Sequence, residues 1–341
     1  MTFPTIEDIV LAHDTRSMSA LRPYVPERFV SDAALSVLER PGSALIVTGF
    51  YIARAGAPET DGPPGALALG TALETLGFGV TYVTDRFSRV AVEALVGRSP
   101  IIDFPVVGHE ESARFARELI ETRCPSVLFA IERPGLIGDG TYRNFQNADF
   151  SAFNAKTDYL FDGHPMSIGI GDGGNEIGMG NLRDVMTRFK GLPSDPSVTR
   201  TTRLIIASCS NWGAYGLVAA LSQLTGRNLL PSVGQAREWV DRLVEVGAVD
   251  GLTGERKNWV DGRPPEQDNY CLRALQELLA RGLHRPGRSC GSTCRSAAGP
   301  AQREETASQG KPMATRATRK IAPNRSPSAQ KALRGRKPLA K

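Results

Sequence analysis

The chain has 341 residues, of which 41% are apolar, and its formal net charge of +5 hides a division at Arg285. Residues 285–341 hold 14 basic and two acidic residues, whereas residues 1–284 hold 27 basic and 34 acidic ones, so a mildly acidic body is joined to a strongly basic tail. No run of about 18 apolar residues or secretory signal pattern is present, which argues against a transmembrane helix and predicts a cytoplasmic protein.

The order of predicted elements indicates one α/β domain behind a short N-terminal segment. Residues 1–42 are interpreted as an N-terminal helical segment, because apolar residues recur at helical spacing near its end. The predicted strands are 43–52, 79–85, 101–106, 125–132, 166–172 and 203–210. The predicted helices are 65–76, 90–96, 110–122, 157–161, 181–189, 213–224, 233–246 and 270–281. This alternation over residues 43–284 predicts a doubly wound, mostly parallel sheet with helices on both faces.

Residues 285–341 contain almost no large apolar side chains. Such a segment cannot bury enough surface to offset the entropy of ordering it, so we predict a disordered basic tail. The tail is either a solvated extension without a function or a segment that contacts nucleic acid, since phosphate contacts need only Lys and Arg.

Polar or Gly-rich segments follow five of the predicted strands. Open parallel sheets bind ligands outside the carboxyl ends of their strands, so these segments are predicted to form one site. The candidate site residues at these strand ends are Thr48, Glu59, Asp61, Gly62, Asp85, Glu132, Arg133, Asp172, Gly173, Gly174, Asn175, Glu176 and Asn211.

The most unusual segment is GDGGNEIGMG, residues 171–180, which has five glycines in ten residues. Glycine adopts positive φ readily, and successive backbone N–H groups in such a loop can form an anion nest. Asp172 and Glu176 in the same loop favour an amine, a divalent ion or a proton transfer over simple phosphate binding. The structural alternative is a tight turn in which the acids are caps.

The role of Asp61 and the type of ligand can be narrowed further from the sequence. Asp61 precedes a predicted helix start, so it is either a helix cap or a substrate contact. The Gly-rich loops match neither the dinucleotide fingerprint nor the P-loop. No histidine pair has metal-ligand spacing, so a metal ion would be Mg²⁺ or Mn²⁺ on oxygen ligands such as Asp172 and Glu176.

Four of these segments, in the same order, resemble the D-glutamate cyclase family in its C-terminal catalytic-type domain. They are ETDGPPGA (59–66), IERPG (131–135) with DGTYRN (139–144), GDGGNEIGMG (171–180) and SNWGAYG (210–216). The resemblance covers roughly residues 40–284. It implies an enzyme that converts D-glutamate to 5-oxo-D-proline and water, a carbon–oxygen hydro-lyase.

The residues can be set against the needs of that reaction. The α-carboxylate of the substrate would bind the Gly-rich nest or Arg133. Asp172 and Glu176 are the first candidates for proton transfer, and Glu132 is the next, provided that burial or a neighbouring carboxylate raises the pKa. We expect a small amino-acid substrate, no membrane partner and a homo-oligomer.

Two other classes of function stay open on the sequence alone. One is a metal-dependent enzyme that acts on a phosphorylated or nucleotide ligand at the same loops; binding of nucleotides without a response to glutamate would favour it. The other is a non-catalytic amino-acid-binding protein whose basic tail contacts nucleic acid.

Removal of residues 286–341 should leave the fold and the melting temperature essentially unchanged, because the apolar residues that form the core precede them. Any affinity for nucleic acid should disappear with the tail and, in the full chain, fall steeply with salt. Thermal melts and oligonucleotide titrations at two salt concentrations measure these effects. A shortened protein that fails to fold would contradict the prediction of a disordered tail.

Overall fold

Six parallel strands form the centre of the protein in a computed structural model, which describes residues 4–283. The strands of this sheet are β1 (Ser43–Thr48), β4 (Gly79–Thr84), β5 (Ile101–Asp103), β6 (Val127–Ile131), β7 (Ser167–Gly171) and β8 (Arg203–Ile206), and two short strands, β2 (Tyr51–Ile52) and β3 (Ala57–Pro58), form an antiparallel hairpin. The order in the sheet is β5-β4-β1-β6-β7-β8. The predicted disorder of residues 285–341 lies outside the described residues.

Helices surround this sheet. They are α1 (Ile6–Val10), α2 (Phe29–Leu38), α3 (Pro63–Thr75), α4 (Arg89–Val96), α5 (His109–Arg123), α6 (Arg183–Met186), α7 (Ser210–Thr225), α8 (Val233–Glu245) and α9 (Pro265–Leu283). None of the helices within residues 4–283 is both long enough and apolar enough to cross a membrane.

The two faces of the sheet are buried in different cores. In β1, Ala44 and Ile46 belong to a core shared with α2, α3, α7 and α9, whereas Leu45 and Val47 belong to a second core shared with α5. This alternation is expected of a strand that is covered on both faces. The predicted doubly wound parallel sheet is therefore confirmed.

The N-terminal segment packs on the same core. Helices α1 and α2 contact α7, and their buried residues join the larger of the two cores. Gly216 of α7 permits the close approach of α1, because a Cβ at this position would lie 2.5 Å from Cγ1 of Val10. Residues 4–42 therefore have no core of their own.

Several elements differ from the prediction. The predicted strands 101–106 and 203–210 end at Asp103 and Ile206, Ser210 already begins α7, and the predicted helix 157–161 is a 3₁₀ turn. The first strand ends at Thr48 and not at Ile52, because Gly49 has a φ of +107° and turns the chain into the β2–β3 hairpin. The predicted helix 181–189 is a 3₁₀ turn followed by α6, which ends at Met186. Beyond it, the N–H groups of Arg188 and Phe189 donate to the carbonyls three residues earlier in the chain. Helix α9 begins at Pro265, five residues before the prediction, where proline suits a first helical position.

The strand order reverses beside β1. From β1 the chain builds outward through β4 and β5, and it then returns to place β6 on the other side of β1. Thr48 and Ile131, the last residues of β1 and β6, lie opposite each other. A crevice at such a reversal, outside the carboxyl ends of the strands, is where open α/β sheets bind ligands.

Candidate active site

A pocket that is open to solvent lies at this edge of the sheet. Its apolar lining includes Phe50, Tyr51, Ile52, Phe145, Phe150 and Leu252, and its charged lining consists of Arg16, Arg54, Glu59, Glu132 and Glu176. Phe50 and Phe150 are stacked, with ring centroids 5.0 Å apart. A rigid apolar surface therefore shares the pocket with ionisable groups.

Six carboxyl groups are buried in or next to the pocket, and none of these residues is more than 6% exposed. They are Glu59, Asp61, Glu132, Asp172, Glu176 and Asp261. Carboxylate atoms of Glu132, Asp172 and Glu176 lie within 4.8 Å of one another, and Asp172 also belongs to a second such group. Buried charges at this density must be protonated, hydrogen-bonded or balanced by a cation.

Arg16, from the N-terminal segment, binds two of these acids. Its Nη1 donates to Oδ1 of Asp172, and its Nη2 donates to Oδ1 of Asp261 at 2.6 Å. Burial raises the pKa of Asp172 well above its ordinary value, although Arg16 opposes the shift. Burial also favours neutral Asp261, but Arg16 and a hydrogen bond with Asp172 hold the pKa of Asp261 below its ordinary value. The pKa values of the two acids are thus shifted in opposite directions, upward for Asp172 and downward for Asp261.

Glu132 directly follows β6 and lines the pocket. Its φ of +44° is uncommon for a residue other than glycine. Ser210 Oγ donates to Oε2 of Glu132 at 2.5 Å, and Gly62 leaves room for it, because a Cβ on Gly62 would lie 2.8 Å from Cβ of Glu132. Burial, and then the charge of Glu176, raise the pKa of Glu132 well above its ordinary value. The site therefore favours the neutral, proton-donating form of Glu132.

Glu59 is a second pocket acid with a raised pKa. Burial is the largest cause, followed by the charges of Asp261 and Asp61. Its Oε1 is buried and has no hydrogen-bond partner among the described residues. Glu59 therefore has an unused polar atom beside the ligand space.

The Gly-rich loop forms an anion nest, and its occupant is the carboxylate of Glu176 from the same loop. The N–H groups of Asp172 and Gly173 donate to Oε1 at 3.2 and 2.7 Å, and the N–H of Gly174 donates to Oε2 at 2.7 Å. The geometry is therefore that of the tight turn with a capping acid, which the sequence left as one of two alternatives.

Asp61 and Asn211 cap each other's helices. The Asp61 carboxylate accepts hydrogen bonds from the N–H groups of Ser210 and Asn211 at the start of α7, both at 2.9 Å. Asn211 Oδ1 accepts from the N–H groups of Gly62 and Gly65 at the start of α3, at 3.1 and 2.7 Å. Burial, and then Asp261, raise the pKa of Asp61 to about 7 despite these N–H groups. Of the two interpretations of Asp61, the geometry shows the cap.

Arg133 and Asp85 form a fully buried ion pair at 2.6 Å. The guanidinium also donates to the carbonyls of Gly49 and Ala155, at 2.8 and 3.0 Å, and to Thr157 Oγ1 at 3.2 Å. All three guanidinium nitrogens are thus bonded within the protein. This placement favours a structural role for Arg133 and Asp85, which join the segments after β1, β4 and β6.

The remaining candidate residues are divided between the pocket and its support. Gly173 and Asn175 line the pocket, and Asn175 Nδ2 donates to the carbonyl of Arg143 at 3.0 Å. Thr48 Oγ1 is buried and has no hydrogen-bond partner among residues 4–283. Which of the candidates contact substrate, and whether a metal ion binds, stay predictions.

Two important residues were not identified from the sequence. Arg16 lies in a loop before the first predicted strand, and Asp261 lies between α8 and α9, 245 residues farther along the chain. Neither residue follows a strand of the sheet, so a search limited to the carboxyl ends of the strands does not identify them. The sequence holds no local signal that would have paired them.

The fold and the site define an α/β protein with an acid-rich pocket at its topological switch point. A family model described as "D-glutamate cyclase-like, C-terminal" matches residues 6–276. The chain belongs to this family, as its loops suggested.

Among curated proteins, human "D-glutamate cyclase, mitochondrial" is 32% identical over 209 residues, which is 55% of this chain and 34% of that protein. The match therefore spans about a third of the relative's length. Its name places the relative in mitochondria, so the cytoplasmic location of this chain stays a prediction.

Replacement of Gly174 by alanine should destabilise the protein more than the same change at Gly247. Both glycines have similar φ, +96° and +102°. A Cβ on Gly174 would lie 2.2 Å from Cε of Met186 and 3.0 Å from Cδ of Pro193, whereas Gly247 has nothing within 4 Å. We expect an additional loss of about 1–3 kcal/mol in the free energy of unfolding, measured by denaturant titration. Equal losses would show that the packing of the Gly-rich loop does not matter.

Glu132→Gln should become progressively more stable than the unmodified protein as the pH rises from about 4 to 8. A raised folded-state pKa means that the folded protein binds more protons than the unfolded chain, so the contribution of neutral Glu132 is complete at low pH and is lost as the pH rises. Glutamine is neutral throughout. Thermal melts across this pH range test the trend, with Glu118→Gln on the exposed face of α5 as the control. A pH-independent difference between Glu132→Gln and the unmodified protein would contradict it.

Proposed function

We propose that this protein is a hydro-lyase that cyclises D-glutamate to 5-oxo-D-proline and water in the pocket at the carboxyl edge of the sheet. The observation that carries the proposal is the charged lining, which places Glu59 and Glu132 with Arg16 and Arg54 in one pocket. Glutamate has two carboxylates and one ammonium group, so this lining offers a partner of opposite charge to each. The D configuration is taken from the name of the human relative.

The reaction moves two protons from nitrogen to oxygen. The α-ammonium carries three protons and the lactam nitrogen keeps one, while one oxygen of the γ-carboxylate leaves as water. One acid of the pocket must therefore accept protons from nitrogen, and another must donate to the departing oxygen. No proton is gained or lost overall. Because each acid transfers one proton at a time, the acceptor must pass its proton to the donor, directly or through water, between the two transfers and at the end of each turnover.

Glu132 fits the role of the donor and Glu59 that of the acceptor. The charge of Glu59 is among those that raise the pKa of Glu132, so ionisation of Glu59 favours neutral Glu132. Because the pKa of Glu59 is raised as well, Glu59 must lose its own proton before it can accept one from the substrate. In this proposal Ser210 donates to Oε2 of Glu132, and Oε1 carries the acidic proton. A raised pKa also makes Glu59 a stronger base than an ordinary carboxylate once it is ionised.

Arg16 fits the role of a carboxylate anchor. Its side chain is 18% exposed and lines the pocket, while Asp172 and Asp261 hold its Nη atoms. Arg54 lies at the same pocket, with its Nη2 held by the carbonyl of Leu252 at 2.6 Å. In this proposal Asp172 positions Arg16 and Glu176 holds the Gly-rich loop, so the proton transfers fall to Glu132 and Glu59.

The two alternative functions differ from cyclisation in their expected ligands and products. A phosphorylated or nucleotide ligand would bring several negative charges to a pocket already rich in buried acids, which disfavours it. A non-catalytic amino-acid-binding protein would bind glutamate in the same pocket and release it unchanged.

The full chain should form 5-oxoproline from D-glutamate faster than from L-glutamate, and Glu132→Gln should lower kcat at least about 100-fold. Asp172→Asn should cost less, because Asp261 still holds Arg16, and Glu118→Gln should match the unmodified protein. Chromatographic detection of 5-oxoproline, with and without Mn²⁺, measures these rates.

Three outcomes would count against this assignment. Full activity in Glu132→Gln, together with a 100-fold loss in Asp172→Asn, would return the proton transfer to Asp172. Binding of D-glutamate without turnover would favour the amino-acid-binding protein. Binding of nucleotides without a response to glutamate would favour the metal-dependent alternative.

A further inference from the structure

We propose that Asp172, Asp261 and Cys209, with Asp61 as a weaker fourth ligand, form a binding site for a divalent first-row transition-metal ion such as Co²⁺ or Zn²⁺. The site adjoins the pocket that Arg16 lines. The proposed metal site does not depend on the identity of the substrate, because its ligands are side chains that lie buried together in the protein itself.

The spacing of the ligand atoms suits a single ion. One ligand atom from each of Asp61, Asp172, Cys209 and Asp261 lies within 4.8 Å of all the others. Ion-to-ligand distances of about 2.0–2.3 Å place any two ligands of one ion no more than about 4.6 Å apart. The four ligand atoms are therefore grouped closely enough to be considered as ligands of one ion.

Two oxygens of this group are left without a partner. Asp172 Oδ2 and Asp261 Oδ2 are buried and have no hydrogen-bond partner among residues 4–283. Arg16 uses only the Oδ1 atom of each carboxylate. A buried carboxylate oxygen requires a proton, a donor or a cation. A proton shared by the pair fills this need when no ion is bound, and a divalent ion would replace that proton.

The surrounding charge also favours a cation. Six buried carboxyl groups meet the guanidinium of Arg16, and Arg263 approaches Asp261 at 3.9 Å. Even with Arg54 of the pocket lining, three positive charges are fewer than six acids. An ion with two positive charges reduces this imbalance.

Cys209 decides the class of ion. Its Sγ is buried and lies 3.4 Å from Oδ1 of Asp61. Mg²⁺ and Ca²⁺ take oxygen ligands, whereas a thiolate favours softer transition-metal ions. Because Asp61 already caps α7, its carboxylate has less capacity left for an ion. This arrangement therefore favours an ion that accepts sulfur over the all-oxygen Mg²⁺ or Mn²⁺ site, with Asp172 and Glu176 as ligands, that the sequence suggested.

Co²⁺ is the sharpest probe, because a thiolate ligand gives a sulfur-to-cobalt charge-transfer absorption. The titration uses the metal-free full chain with Cys124, Cys290 and Cys294 replaced by serine, so that Cys209 and Cys271 are the cysteines that remain. We expect one Co²⁺ per chain with a charge-transfer band, and loss of the band in Cys209→Ser. Asp172→Asn and Asp261→Asn should each weaken Co²⁺ binding at least tenfold.

Two controls keep the test decisive. Glu118→Gln removes an exposed acid of α5 outside the ligand group and should change Co²⁺ affinity less than about twofold, and thermal melts establish that each variant is folded. The proposal is overturned if Co²⁺ does not bind, if the band survives Cys209→Ser, or if both Asp variants bind Co²⁺ as tightly as the unmodified protein. Because no substrate is present, these results are independent of whether D-glutamate is cyclised.

Discussion

The burial of six carboxyl groups around the carboxyl ends of β1 and β6 is the constraint on which the rest of the site depends. An ionised carboxylate cannot be taken out of water without hydrogen bonds or an opposing charge. The fold supplies these locally and by different means for different acids. Glu176 is held by the N–H groups of its own loop, Asp61 by the start of α7, and Asp172 with Asp261 by Arg16. Each of these interactions holds a loop in place and also stabilises a buried carboxylate.

The two pocket acids that remain, Glu59 and Glu132, receive fewer hydrogen bonds from the protein. Glu132 receives one hydroxyl hydrogen bond from Ser210, and Oε1 of Glu59 has no partner among the described residues, so neither carboxylate has the set of N–H donors that holds Glu176. Burial therefore shifts the pKa of both upward, toward the range in which a carboxyl group transfers protons at neutral pH. Both line the pocket, so the groups least stabilised by the fold are those available to a ligand.

The sequence predicted the sheet and the edge at which the site lies, because buried strands have a short apolar pattern and because ligands collect at the carboxyl ends of strands. The sequence did not predict which side chains line the pocket and which are buried in ion pairs. Arg133 follows β6 beside Glu132, yet it turns to Asp85 and is fully buried, while its neighbour lines the pocket. Asp261 and Arg16 come from segments outside the alternating pattern, where their meeting depends on tertiary packing and not on local spacing.

The N-terminal segment shows how closely that packing and the site are connected. Helices α1 and α2 bury their apolar faces on α7, whose start is capped by Asp61 and carries Ser210, the partner of Glu132. The loop after α1 then delivers Arg16 to Asp172 and Asp261. A segment that the sequence set apart from the α/β domain thus supplies the guanidinium that neutralises its most crowded acids. Every group used in the proposed chemistry lies between Arg16 and Asp261, inside the 6–276 match to the family. The electrostatic balance of the pocket is therefore a property of this region as a whole, and it cannot be assigned to the strand ends alone.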